Sequence, residues 1–338
     1  MLILPPMLLA APADDPVKVF GDWVVACDNV KRCEMTSLLP GDEAMPEADD
    51  PAGDSSLSVV REAGPAGGWS VEFSTRPYAG KASATIDGVA IASGTAREGL
   101  VDFSGADAAK LVAAMTNGKE AGLKDASGKP IARISLSGSS ASLRFIDAAQ
   151  GRAGSVTAAV AKGARPATAV PAAAVLPVVK RAMPSGKVES VSKTLRAAMD
   201  KLGDCAGVYE GGEGDPPEVE THALGGGKTL ALLPCGSGAY NFSTVPFIVS
   251  GGHATVARFD VLGGESEAEG IAMLTNAGWD TKTATLSSYD KGRGIGDCGT
   301  AEDYVWTGEM FVLVEARSMP ECRGSVNWLT TFRAKPVP

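Results

Sequence analysis

The sequence predicts an α+β protein: two β-rich domains, mainly antiparallel sheets with a few helices, joined by an Ala/Pro-rich linker. Short runs that alternate apolar and polar residues recur along the chain, as half-buried strands require. Glycine is abundant at 41 residues and aromatic residues make up only 6%, which fits many strands connected by tight turns. The composition breaks once, at residues 163–187, where prolines stand at 166, 171, 177 and 184. Repeated proline blocks helix and removes ladder donors, so this stretch reads as an extended linker. A length of 338 residues, at roughly 100–200 residues per domain, then gives domains at 14–162 and 188–338.

In the first domain, strands are expected at 20–27, 57–61, 69–73, 84–91 and 100–103. A helix over 105–115 follows, because Leu111, Val112 and Met115 recur at helical spacing. Ser104 stands as its candidate N-cap and Asn117-Gly118 as its end signal. A last strand at 131–134 and a short helix at 142–145 complete this half. Beyond the linker, Val191, Leu195, Ala198 and Leu202 fall on one face of an amphipathic helix over 188–203, ended by Gly203. Strands are expected at 218–224, 229–235, 247–249, 255–261, 281–289, 304–306, 311–316 and 328–333.

Residues 1–13 are apolar and end in Ala11-Pro12-Ala13, with Asp14-Asp15 next. The A-x-A pattern reads as a signal peptide, and the run is shorter than the ~20 residues that span a bilayer. No basic residue precedes Lys18, so a longer leader is expected upstream. No later stretch has the length and apolarity of a transmembrane helix.

Cysteines stand at 27, 33, 205, 235, 298 and 322, with only two histidines in the chain. An even count without close pairs reads as a disulfide framework, hence a periplasmic or secreted protein. Six cysteines allow fifteen pairings, and nearest-neighbour pairing is the simplest because each bridge stays within one domain. Structural zinc, which takes pairs such as C-x2-4-C, is disfavoured by the spacing. A net charge of −9 argues against nucleic acid and anionic lipid as partners.

Few segments carry chemistry. His222-Ala-Leu-Gly-Gly-Gly-Lys228-Thr229 is similar to the end of a phosphate-binding loop, but strand-like residues follow it, so a glycine hairpin is expected. There is no G-x-S-x-G, and neither His222 nor His253 sits in a nucleophile signature. Asp49-Asp50 and the Glu265–Glu269 run read as solvated loops. No cofactor, metal or catalytic residue is expected. The densest polar feature is the glycine-rich run from Tyr289 through Lys291, Arg293 and Asp297 to Cys298. Lys291 and Arg293 are candidates to hold an anion beside glycine amides. Asp290, Asp297 and Asp303 are the alternative, as calcium ligands, and a long turn fixed by Cys298 is the structural reading.

Three segments together carry a resemblance: the opening Phe20-Gly-Asp-Trp-Val-Val-Ala-Cys27 through Cys33, Cys235-Gly-Ser-Gly-Ala-Tyr-Asn241, and Lys291–Gly299 with Tyr304-Val-Trp306 and Glu321-Cys-Arg-Gly324. They resemble the bacterial family called domain of unknown function 1176 over nearly the whole chain. The resemblance implies an exported Gram-negative protein with six cysteines and no assigned activity. The D-W-x-V-x-C opening is also similar to invasion-associated locus B proteins. Ser237-Gly-Ala-Tyr240 resembles part of the S-G-A-[KR]-Y loop of membrane-bound lysozyme inhibitors, without its basic residue. The candidate partner-binding residues are therefore Ser237, Tyr240, Lys291, Arg293 and Asp297. The expected function is non-enzymatic binding of an envelope protein or cell-wall component. The alternatives are inhibition of a cell-wall hydrolase and carboxylate-based hydrolysis, for which no residue stands out.

Overall fold

The computed structural model describes residues 16–40, 55–209, 216–262 and 271–338. The expected signal peptide and the Asp49-Asp50 and Glu265–Glu269 loops lie outside the described residues.

The first half runs β1 (Val17–Phe20), β2 (Trp23–Cys27), β3 (Cys33–Ser37), β4 (Ser56–Arg61), β5 (Trp69–Ser74), β6 (Gly80–Ile86), β7 (Val89–Ala96) and β8 (Leu100–Ser104), then α1 (Gly105–Met115), β9 (Glu120–Asp125), β10 (Pro130–Ser135) and α2 (Ser139–Ala149). Two antiparallel sheets form, in the orders β1-β2-β3-β4-β5-β8 and β10-β9-β6-β7. Alternate residues of the first sheet, among them Trp23, Met35, Leu57, Val59, Phe73 and Phe103, enter one core with Leu111 and Met115 of α1 and Leu143 and Ile146 of α2. Burying such a side chain is worth ~1.5–3 kcal/mol, so this cluster dominates the stability of the half.

Two expected strands prove to be hairpins. The 20–27 run is broken at Gly21, whose φ is +57° and whose Cβ, if present, would lie 2.8 Å from the Ser137 carbonyl oxygen. The 84–91 run turns at Asp87 (φ +49°) and Gly88 (φ +79°), a left-handed pair that suits a two-residue hairpin loop. Ser104 occupies the N-cap of α1 but its side chain makes no capping bond. The short helix expected at 142–145 extends over all of α2.

In the second half follow β11 (Val178–Lys180), α3 (Lys193–Leu202), β12 (Glu220–Gly225), β13 (Lys228–Ser237), β14 (Phe242–Ser250), β15 (His253–Val256), β16 (Leu274–Thr275), β17 (Gly278–Asp280), β18 (Thr285–Lys291), β19 (Gly299–Trp306), β20 (Phe311–Met319), β21 (Leu329–Arg333) and β22 (Lys335–Val337). One antiparallel sheet has the order β12-β13-β14-β15 with β16 on β14, and another the order β17-β18-β19-β20-β21. β13 is buried on both faces, which explains its unbroken apolar run. Leu230 and Leu232 pack with Leu286, Tyr304, Trp306 and Phe311, and Ala231 and Leu233 with Phe247 and Met199 of α3. Helix α3 begins five residues later than expected, where Ser192 Oγ accepts from Leu195 N at 3.1 Å. Gly225, Gly226 and Gly227, all at positive φ, join β12 to β13 as the expected glycine hairpin.

Residues 163–187 hold little regular structure: a 3-10 turn at Ala167–Ala169, and β11, which pairs in parallel with β22. The halves meet directly. Val17, Val24, Ala26 and Leu38 share a buried cluster with Cys298, Met319 and Leu329. Arg333 Nε lies 2.6 Å from Asp28 Oδ2, and Thr330 N donates to Glu34 Oε2 at 2.9 Å.

Candidate functional site: two loops held by asparagines

The six cysteines form the nearest-neighbour set: Cys27–Cys33, Cys205–Cys235 and Cys298–Cys322. The last bridge anchors the glycine-rich loop that leaves β18 and enters β19. Gly292 passes so close to it that an added Cβ would lie 2.7 Å from Cys298 Sγ, so only glycine fits.

The fold brings this loop against the turn between β13 and β14, which carries Ser237 and Tyr240. Gly238 N donates to the Asn241 carbonyl at 2.6 Å and closes the turn. Asn241 then reaches across: its Nδ2 donates to Asp290 Oδ1 at 2.7 Å and to the Lys291 carbonyl at 2.9 Å. Its Oδ1 accepts from Lys291 N at 3.2 Å. Asn276, with φ +45°, donates through Nδ2 to Asn241 Oδ1 and to the Tyr289 carbonyl, at 2.9 and 2.8 Å. Tyr240 Oη donates to the Gly292 carbonyl at 3.2 Å. Two segments about fifty residues apart are thus joined by side-chain amides, each satisfying backbone groups that loops otherwise leave to water.

Within the loop, Arg293 and Asp297 form a bidentate pair, with Nε to Oδ1 at 2.6 Å and Nη2 to Oδ2. Asp297 is only 2% exposed and also accepts from Gly324 N at 2.7 Å. The Arg293 hydrogen bonds, with the Gly324 amide, hold the Asp297 carboxyl below the usual carboxylate range. Arg293 therefore braces the loop against the Cys322 segment. Lys291 Nζ sits 5.6 Å above the Tyr289 ring, a cation-π contact. Ser237, Gly238 and Ala239 are exposed at the tip of the turn. Around it stand three exposed apolar side chains, Val208 at 45%, Phe242 at 58% and Ile295 at 66% exposure.

The structure does not gather the calcium alternative. Asp290 is engaged by Asn241, Asp297 by Arg293, and Asp303 lies 3.9 Å from Arg317. Among the described residues no three His, Cys, Asp or Glu side chains come together as a metal site. His222 is hydrogen-bonded to Glu220 at 2.6 Å. Sequence reasoning missed Asn241 and Asn276 as organisers of the site. Asn241 ended a segment singled out for its resemblance, but nothing local marks an amide whose partners lie on another strand.

Comparison with known proteins agrees over nearly the full length. The chain is 30% identical over 349 residues to "Uncharacterized protein YpfG" of Escherichia coli (strain K12), covering 96% of this chain and 93% of that protein. The crystal structure of invasion associated protein b from Bartonella henselae superposes on 40% of this chain and 98% of its own, at 16% identity and a TM-score of 0.29, too loose to carry an argument. On a family match spanning residues 17–335, the chain belongs to the family described as Protein of unknown function (DUF1176).

Proposed function

We propose that this is an exported, non-enzymatic binding protein that meets an envelope protein or cell-wall component through the surface formed by the two loops. One observation carries the reading. Asn241 and Asn276 lock the Ser237–Tyr240 turn to the Lys291–Asp297 loop while Phe242 and Ile295 stay largely exposed. Exposed apolar side chains on a braced loop cost little entropy to dock, which is what a recognition surface requires. Export is supported by the pairing of all six cysteines, since disulfides persist in oxidising compartments. In this reading, residues 14–162 and 188–338 are two domains and 163–187 their linker. A second reading, inhibition of a cell-wall hydrolase, is favoured by the exposed tip Ser237-Gly-Ala, which could enter an enzyme cleft.

A photo-crosslinker placed at Ile295 in cells tests the first reading. It should trap a defined envelope partner, lost in Phe242→Asp, with the protein in the periplasmic fraction and its thiols oxidised. Cytoplasmic accumulation with free thiols, or crosslinks indifferent to Phe242→Asp, would overturn it. A lysozyme inhibition assay with the purified protein decides the second.

A further inference from the structure

The outer face of the six-stranded sheet carries two cross-strand rows, polar except at Val60. Thr36, Ser58, Glu72 and Asp102 stand opposite one another across β3, β4, β5 and β8, and Glu34, Val60, Ser70 and Ser104 form the next row. Their strand neighbours Met35, Val59, Val71 and Phe103 point into the core, so the rows face outward. Part of this face is covered, where Val24 and Ala26 meet Met319 and Leu329. The remainder opens as a groove of about 380 Å³, walled on one side by Asn327 and Trp328. That volume is within the ~300–1,000 Å³ typical of small-molecule clefts.

The groove is built rather than incidental. Trp328 is held against the Tyr289 ring, centroids 4.9 Å apart. Asn327 Nδ2 donates to Ser56 and Ser58 at 3.0 and 2.9 Å. At its floor, Glu72 and Asp102 are directly opposed across the strand pair. Like carboxylates across a strand pair are unfavourable, and the neighbouring row uses Ser70 and Ser104 instead. A local rule broken without a structural gain marks a functional position. Ser104, moreover, is not used to cap α1.

We propose that this groove binds an uncharged sugar chain. Two carboxyls directly opposed across a strand pair offer acceptors side by side, matching vicinal hydroxyls. Ser70 and Ser104 add hydroxyls in the neighbouring row, and Trp328 gives the apolar wall that a pyranose ring requires. Anionic ligands are disfavoured by Glu72 and Asp102, whereas Glu34 is already paired with Arg32. The proposal stands independently of the two-loop surface.

The full chain would be titrated with uncharged tetrasaccharides built on N-acetylglucosamine, glucose and galactose, and with the glucosamine tetramer, by calorimetry and tryptophan fluorescence. At least one uncharged tetramer should bind, and both Asp102→Ala and Ser70→Trp should weaken it about tenfold or more. Both positions are exposed, and an unchanged thermal melt verifies the fold. Failure of every uncharged tetramer to bind, or binding unaffected by both variants, would overturn the proposal. So would uptake of the glucosamine tetramer alone with loss at high salt, which would make this a cation site.

Discussion

Arg323 Nη2 donates to Asp22 Oδ1 at 2.6 Å, across 301 residues of sequence. Its other nitrogens reach the Gly21 and Leu39 carbonyls, each at 2.8 Å. A guanidinium fork that satisfies a carboxylate and two carbonyls at once is a strong, geometrically specific tie. Protease should therefore nick the exposed 163–187 segment first, yet the two pieces should still co-elute in size-exclusion chromatography. With Arg323→Ala and Arg333→Ala together, the nicked pieces should separate. Separation of the wild-type pieces under the same conditions would show that these ties do not hold the halves.

Lys291 and Arg293 look alike in sequence and should behave differently. Lys291→Ala removes one cation-π contact of a half-buried side chain and should change stability by only about 0.5 kcal/mol. Arg293→Ala leaves the buried Asp297 carboxylate with backbone amides alone and should cost about 1.5–3 kcal/mol. Asp297 has a folded-state pKa below its unfolded value, near 3.9. Its contribution is therefore present above that value and is lost as pH falls through the lower folded one. Urea melts at descending pH should show acid unfolding of Arg293→Ala at a higher pH than wild type. Equal melts for the two single variants would place Arg293 outside the brace.

The Cys298–Cys322 bridge closes a loop with a sequence separation of 24. Chain entropy puts its removal at about 3.5 kcal/mol. The double Cys298→Ser/Cys322→Ser variant should melt earlier by that amount and lose the crosslink from Ile295, because Gly292 and Asp297 both lean on that segment. A melt unchanged by the double variant would mean that the bridge is dispensable.

How much was legible follows from the range of each cause. Helix α1 and strands β4, β5 and β8 are legible because periodicity and turn residues are local, whereas β3 (Cys33–Ser37) falls outside every expected strand. The hairpin at Asp87-Gly88 carries a turn signal, but the alternation from Ala84 to Ile91 runs straight through it and reads as one strand. The cysteine framework was legible as a set, and its pairing only as the simplest choice. The candidate loops could be named separately, but not their meeting. That meeting depends on β13–β14 and β18–β19 stacking so that Asn241 reaches Lys291. The partner of Arg293 was hidden for a different reason: Asp297 lies four residues away, yet its burial comes from Gly324 and the C-terminal bridge. The Glu72–Asp102 pair required the register of β5 on β8, which no spacing along the chain reveals.

That register sets the last expectation. Burial, with the Asp102 carboxyl opposite, holds the Glu72 carboxyl above the ordinary range. The folded state therefore keeps a proton there that the unfolded state has already released above ~4.3. Because the unfolded chain binds fewer protons in that window, stability falls as pH rises from the unfolded pKa to the folded one. Glu72→Gln keeps a donor toward Asp102 and cannot ionise, so it should be more stable than wild type at pH 7. The advantage should shrink toward zero below about pH 4, where Glu72 is protonated in both states. Paired urea melts between pH 4 and 8 measure this directly. A variant no more stable than wild type at pH 7 would mean that the two carboxyls do not share the groove floor as the strand register places them.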